Sequence, residues 1–279
     1  MGNEPSVVES IKKAFGLFSN GKLLTNFSKI SLLEAGVQAV LVVLVFASLL
    51  SALLSVSKVD PSNSELVLST LVASLLSAGI FILFLGLIAI LALTIINSIF
   101  WYAIHAHSNN KHFNLWNSLK EAAVPMTKLF LVYLLGGVLA VGVLVVSAIT
   151  CVLLPIAVIG LLILVFSIVF MVPEILINKK GIVDSFKTSW RILRTYPLKV
   201  IALVLASGLI AAVPNYILST VSDLLMDNLG TNLALIFAVT LVIGFLQILI
   251  DSIILVGSVY YFWMDVPKAV QKKPSTNRK

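Results

Sequence analysis

Long apolar stretches separated by short polar connections account for most of this chain. A membrane-crossing helix needs about 20 mostly apolar residues, and residues 38–56 supply the first such stretch. Residues 67–104 supply a second, longer than one crossing requires. The third apolar stretch, 129–177, is too long for one helix. Small and helix-breaking residues around Ser147, Thr150, Cys151 and Pro155 predict a tight hairpin within it. Residues 200–220 and 233–264 complete a set of six predicted spans.

The polar connections carry a second pattern, a threefold one. Ser10-Ile11-Lys12, Ser118-Leu119-Lys120 and Ser185-Phe186-Lys187 each precede a pair of apolar stretches. Aligning the lysines also aligns Val8, Trp116 and Val183, then Phe15, Ala123 and Trp190, then Phe18, Met126 and Leu193. Apolar residues at this i, i+3, i+7, i+10 spacing form one stripe of a helix, with lysines, acids and serines on the remaining faces. The expected fold class is therefore all-α: a polytopic membrane protein of six transmembrane helices. They form three hairpin repeats, about 5–107, 113–178 and 182–264, each preceded by an amphipathic interfacial helix. The second copy is the weakest, because Pro125 is expected to kink or end its helix. The whole of 1–266 is read as one membrane domain, followed by a polar, lysine-rich and disordered tail over 267–279.

Composition agrees with a bilayer setting. The chain is 59% hydrophobic and 11% charged, against roughly 25% charged in a soluble domain. The formal net charge of +7 invites a nucleic-acid reading. Its placement rules otherwise, since the basic residues sit between apolar stretches, so no nucleic-acid partner is expected. With six spans, every Lys and Arg except Lys58 falls on one side. Positive residues accumulate in cytoplasmic loops, which puts both termini in the cytoplasm. Splitting 67–104 into two crossings at Ser77-Ala78-Gly79 would scatter these charges. The excess length is instead assigned to a helix continuing outside the bilayer from Glu65, or to a steep tilt. No secretory signal peptide is expected, because the first thirty residues are amphipathic and lysine-bearing.

The segment from Pro173-Glu174 through Gly181, Ser185 and Ser189-Trp190 to Arg194 resembles the connecting region of a known group. These are the six-span proteins related to the membrane domain of glycerophosphoryl diester phosphodiesterases. The resemblance implies the same repeated-hairpin fold over nearly the whole chain. No soluble catalytic domain is present in this sequence, so it implies no phosphodiesterase activity.

Candidate chemistry is sparse. Asp251 lies more than ten residues from either end of the sixth stretch. An acid at that depth costs roughly 2.5–3.5 kcal/mol on insertion scales and normally faces the bundle interior. Gln247 stands one helical turn away on the same face. Asn97, Thr94 and Asn215 are the expected hydrogen-bonding partners, and Pro214 removes a backbone hydrogen bond beside Asn215. Either Asp251 is a proton or cation site, or it is a protonated structural acid. Glu34 at the mouth of the first span is expected at the interface, as is Pro173-Glu174 at the end of the fourth. Lys187, Trp190, Arg191 and Arg194 form the richest interfacial helix, a surface for anionic headgroups or for a cytoplasmic or membrane protein partner. His105 and His107 point to opposite sides of a helix, and no carboxylate or cysteine completes a metal set with them and His112. Snorkelling is the expected role of these histidines. Trp101, Tyr102, Tyr260, Tyr261 and Trp263 match an interfacial aromatic belt. No enzyme signature occurs, and no cofactor or metal is expected. The functional expectation is a non-enzymatic, permease-like transporter or channel component with Asp251 as its polar site. The alternative is a membrane-shaping or complex-assembly scaffold working through its amphipathic helices.

Overall fold

The computed structural model describes residues 4–58, 64–150, 154–229, 232–267 and 270. Among these residues the chain is all-helical. Short α1 (Val7–Gly16) leads through a 3-10 turn into α2 (Gly21–Ser57), which hairpins onto α3 (Ser64–Ser108). Then follow α4 (Leu115–Thr150), α5 (Leu154–Leu176), short α6 (Ile182–Thr195), α7 (Pro197–Leu229) and α8 (Leu233–Asp251). A π-helical turn, Ser252–Val256, joins α8 without a break to α9 (Gly257–Asp265).

Five of these helical segments are long and apolar enough to cross a membrane: Gly21–Ser57, Glu65–Ser108, Ala123–Val143, Pro197–Asn228 and Ala234–Asp265. The chain is accordingly a multi-pass integral membrane protein. Within these helices the backbone polar groups pair internally, as a hydrocarbon solvent demands, apart from the carbonyls that Pro125, Pro173 and Pro214 leave without a helical donor.

The overlong second stretch forms one unbroken helix. At 1.5 Å per residue the 45 residues of α3 extend about 67 Å, twice the hydrocarbon thickness. Its partner α2 has 37 residues and also starts earlier than its apolar stretch, at Gly21, where Asn20 caps it by accepting from the Leu23 N–H at 3.0 Å. The two run antiparallel, with Phe27 against Phe100 near one end and Ser55 hydrogen-bonded to Ser74 near the other. Two expectations for α4 turn out differently. Pro125 neither ends nor separates a short interfacial helix; it lies inside a continuous α4. Pro125 is the eleventh residue of α4, so it removes the hydrogen bond to the Glu121 carbonyl while the helix runs on through it. Ser118 in this copy is half-buried, unlike Ser10 and Ser185. The expected hairpin is bounded by the end of α4 at Thr150 and the start of α5 at Leu154, with residues 151–153 outside the described set. The α4 and α5 backbones approach at Gly136, where a Cβ would stand 3.1 Å from Ile168. The expected disordered tail also lies outside the described residues, apart from 267 and 270.

Burial is strongly lopsided along the helices. The core gathers at the end where α2 and α4 begin and α3, α5 and α9 finish, which is also the lysine-rich end. Phe27, Phe100, Ile104, Phe170, Leu176, Tyr260 and Phe262 are all fully buried there. Farther along the same helices, Val42, Phe46, Leu83, Val138 and Leu209 are broadly exposed. The aromatic residues expected to belt the interface belong to this core. Trp101, Tyr102, Tyr260 and Trp263 are buried, Tyr102 donating its hydroxyl to the Leu176 carbonyl at 2.8 Å. One end of the bundle is tightly closed and the other loosely packed.

Candidate functional site

Three helices bring polar side chains together where the closed end gives way to the looser half. Asp251 is the last residue of α8, directly before the π-turn. Asn215, one residue beyond Pro214 in α7, donates its Nδ2 to Asp251 Oδ1 at 2.7 Å. Gln247, one turn before Asp251, donates its side-chain amide to the Asn215 backbone carbonyl at 3.4 Å. Pro214 leaves the Ile210 carbonyl without its helical donor, yet the carbonyl engaged by Gln247 is that of Asn215. The proline thus sits beside the site without supplying its acceptor. From α2, Glu34 lies near enough for the Asp251 carboxylate to act on it electrostatically, and Gln38 donates to Glu34 at 3.3 Å. Glu34 is half-buried on α2, which packs against α8.

The cluster has more acceptors than donors. Asn215 Oδ1 is buried and has no hydrogen-bond partner among the described residues. An unsatisfied buried acceptor costs roughly 1–3 kcal/mol, so its retention beside the Asp251 carboxylate is chemically informative. Together they make an oxygen-rich site suited to a proton, a small cation or a hydrogen-bond donor. The π-turn that follows shifts the register of α8 relative to α9; such turns frequently mark functional positions. On the lysine-rich side of the cluster, Leu203, Ser207, Ile253 and Ile30 are almost wholly buried. On the other side, Val213 and Tyr216 of α7 are exposed.

Not every expected partner joins. Asn97 donates to the Tyr133 hydroxyl of α4 at 3.3 Å, with its own Oδ1 buried and unpartnered among the described residues. Thr94 donates to the Ile90 carbonyl of its own helix at 2.6 Å. These two residues stabilise α3 and its contact with α4.

A second polar centre emerges at Glu174, which was expected near the headgroups. It is fully buried. Its Oε1 accepts from the Trp263 indole N–H at 2.9 Å, and its Oε2 from Asn178 at 2.9 Å. Lys180 approaches Oε2 at 2.6 Å and completes an ion pair. Lys180 also reaches Thr188 of α6, while Lys128 of α4 donates to the Lys180 carbonyl at 3.4 Å. One carboxylate thereby ties α5, α6 and α9 together, with α4 attached through Lys128. The signal for it was the isolated acid beside Pro173. An acid at the end of an apolar helix reads equally as an interfacial residue, because Lys180 and Trp263 approach it only in three dimensions.

The short helices α1 and α6 have matching surfaces, each with one buried and one exposed side. In α6, Ser185, Thr188, Ser189 and Ile192 are buried, and the Ser189 hydroxyl donates to the Ser167 carbonyl of α5. Val183, Phe186, Lys187, Trp190 and Arg194 are exposed together on the opposite side, and Arg191 contacts Thr188. In α1 the corresponding Ser10 and Ala14 are fully buried, whereas Val8 and Phe15 are exposed. Gly257 permits this seat, since a Cβ there would fall 3.1 Å from Ala14 Cβ and from Leu17 Cδ1. Lys13 pairs with Asp265 at 3.1 Å, and Lys199 of α7 with Glu4 at 2.5 Å. The Asp265 and Glu9 carboxylates raise the Lys13 pKa despite the opposing cost of its partial burial. Hydrogen bonding to Lys199, then its charge, lowers that of Glu4.

The histidines divide. His105 hydrogen-bonds the Tyr260 hydroxyl at 3.0 Å, while His107 and His112 line a surface cleft. Among the described residues no three His, Cys, Asp or Glu side chains gather as a metal site would require. No family model, curated protein or solved structure matches this chain, so the residues and their geometry carry the functional reading.

Proposed function

We propose that this chain is a six-span, non-enzymatic transporter or channel component whose working site is the Asp251–Asn215–Gln247 cluster with Glu34. In this reading α5 is the sixth crossing, being apolar from Leu154 to Pro173 and about 35 Å long in all. The lysine-rich end faces the cytoplasm by the positive-inside rule. The observation that carries the proposal is the excess of acceptors. Asp251 is held at 2.7 Å by Asn215, whose own Oδ1 is buried and unpartnered among the described residues. A proton or small cation supplies the missing positive partner. The buried layer of Ile30, Leu203 and Ile253 then closes the cytoplasmic path. Transport by alternating access opens that layer, with Glu174 as the joint about which α5, α6 and α9 move.

The three-repeat reading gains support from how α1 and α6 dock. Each buries its serine face on the last span of the preceding unit, α6 on α5 and α1 on α9, so that the first unit closes onto the third. This arrangement also fits the resemblance to the phosphodiesterase-related membrane domain.

Reconstituted protein tests the function. Asp251→Asn is expected to abolish proton- or cation-coupled flux in proteoliposomes while the purified variant keeps its helix content and monodispersity. Unchanged flux, or no flux in the parent protein across protons and alkali cations, would overturn the assignment. The scaffold reading draws on the exposed Phe186 and Trp190 beside Lys187 and Arg194. It predicts that Lys187, Arg191 and Arg194 changed together to glutamate release a bound partner or alter liposome shape, with Asp251 dispensable.

A further inference from the structure

A cleft of about 650 Å³ opens at the lysine-rich end, between the first turns of α2 and the loop joining α3 to α4. That size lies within the usual range for small-molecule sites. Its walls carry Lys22 and Asn26 from α2, His107 from the last turn of α3, and Asn110, Lys111 and His112 from the loop. Leu23 and Ala103, both nearly or fully buried, form an apolar floor. No carboxylate is among the lining residues. Lys22 and Lys111 have no ion-pair partner among the described residues. By contrast, Lys13, Lys180 and Lys199 each face an acid.

The loop wall is fixed by its own backbone. Asn110 adopts a left-handed conformation (φ 53°), the Lys111 N–H returns to the Ala106 carbonyl at 2.8 Å, and the Asn110 N–H to His107 at 3.0 Å. This is the Schellman ending of a helix, with asparagine where glycine is usual. It turns the chain so that Lys111 and His112 face back over α2. His112 Nδ1 donates to the Phe113 carbonyl at 3.1 Å, which holds the ring against the loop backbone. Two cations, two imidazoles and amide donors around one concavity form a recognition site for a multivalent oxyanion.

We infer that this cleft binds a phosphate-bearing anion, held between Lys22 on α2 and Lys111 on the α3–α4 loop. Two sources share that chemistry: the headgroup of an anionic phospholipid in the adjoining leaflet, and a soluble phosphate compound. The site is separate from the Asp251 cluster and does not depend on it. Its role is to clamp the start of the first long hairpin to the beginning of the next.

The test uses the full-length protein and two probes. Retention of phosphatidylglycerol over phosphatidylcholine is measured in mixed nanodiscs by native mass spectrometry. Binding of glycerol 3-phosphate is measured in detergent by calorimetry. Lys22→Glu with Lys111→Glu is expected to reduce binding of the responding probe at least tenfold. The control pair Lys12→Glu with Lys29→Glu removes equal charge from the same end and should leave binding within twofold. Asn26→Asp, which keeps both lysines, should also weaken binding and guards against a folding artefact. Selective retention of the lipid identifies a headgroup site, and binding of glycerol 3-phosphate identifies a soluble ligand. Equal losses in the cleft and control pairs, or no binding of either probe, would overturn the inference.

Discussion

Removing the Glu174 carboxylate should be among the most damaging single changes to this fold. Glu174→Ala would strip the partner from the Trp263 indole N–H, the Asn178 amide and the Lys180 ammonium at once. Trp263 is 3% exposed and cannot turn to water, so its orphaned N–H costs roughly 1–3 kcal/mol. Lys180 retains 28% side-chain exposure and recovers part of its hydration. Breaking a buried ion pair by deleting one member typically costs about 3–5 kcal/mol. The partial exposure of Lys180 places the expected total near the lower bound of that range, about 3 kcal/mol. Glu174→Gln keeps an acceptor for Trp263 and forfeits the ionic contact, so about half that loss is expected. Reversible denaturation in mixed micelles, followed by tryptophan fluorescence and helix content, measures both. A loss below about 0.5 kcal/mol for Glu174→Ala would refute the claim that this carboxylate joins α5, α6 and α9.

Other outcomes follow from the same geometry. Gly257→Leu should push α1 from its seat by overpacking Ala14 and Leu17, at a cost of about 1–3 kcal/mol; faster proteolysis near the amino terminus reports it, and unchanged cleavage contradicts it. Attachment of the amino-terminal segment should depend on pH at both extremes. The lowered Glu4 pKa makes its contribution present above the ordinary value of 4.5 and lost as pH falls through the folded value. The raised Lys13 pKa makes its contribution present below 10.5 and lost as pH rises through the folded value. The same proteolysis assay across pH should therefore show a protected plateau between these limits, with the acid limb absent in Glu4→Gln. Tyr133→Phe should cost about 0.5–1.5 kcal/mol by removing the partner of Asn97, without affecting flux. A flux defect in that variant would extend the functional site to α3 and α4.

The helical architecture was legible because membrane solvent leaves a plain record: apolar stretches of spanning length and lysines kept to one side. The unbroken α3 follows from that record, as does the division of the third stretch into α4, ending at Thr150, and α5, starting at Leu154. The boundaries were less legible. α2 begins at Gly21, well before its apolar stretch, because Phe27 and Ile30 bury against protein and need no continuous hydrophobic run. Pro125 does not end α4, although it stands three turns into the helix and removes one backbone hydrogen bond. Within the site, spacing related Gln247 to Asp251, but the choice of Asn215 over Asn97 depends on which helices touch. Glu174 was read as an interfacial acid for the same reason. Its partners Lys180 and Trp263 are 6 and 89 residues away, and nothing local distinguishes a buried acid from an interfacial one. The serine faces of α1 and α6 were visible as a repeat, yet their burial was not. Serine on a helix facing protein reads like serine facing water until a close neighbour such as Ser167 is seen.

The central claim is that the Asp251 cluster is a working site reached by water from the side away from the lysine-rich end. Its most direct test is thiol labelling of Gln247→Cys in a Cys151→Ser background, with membrane-impermeant maleimide added to either face of oriented vesicles. The account predicts modification from the face opposite the lysines, and none from the lysine-rich face while the closed layer holds. Protection from both faces under all conditions would contradict it, making Asp251 and Asn215 a structural hydrogen bond within a dry bundle.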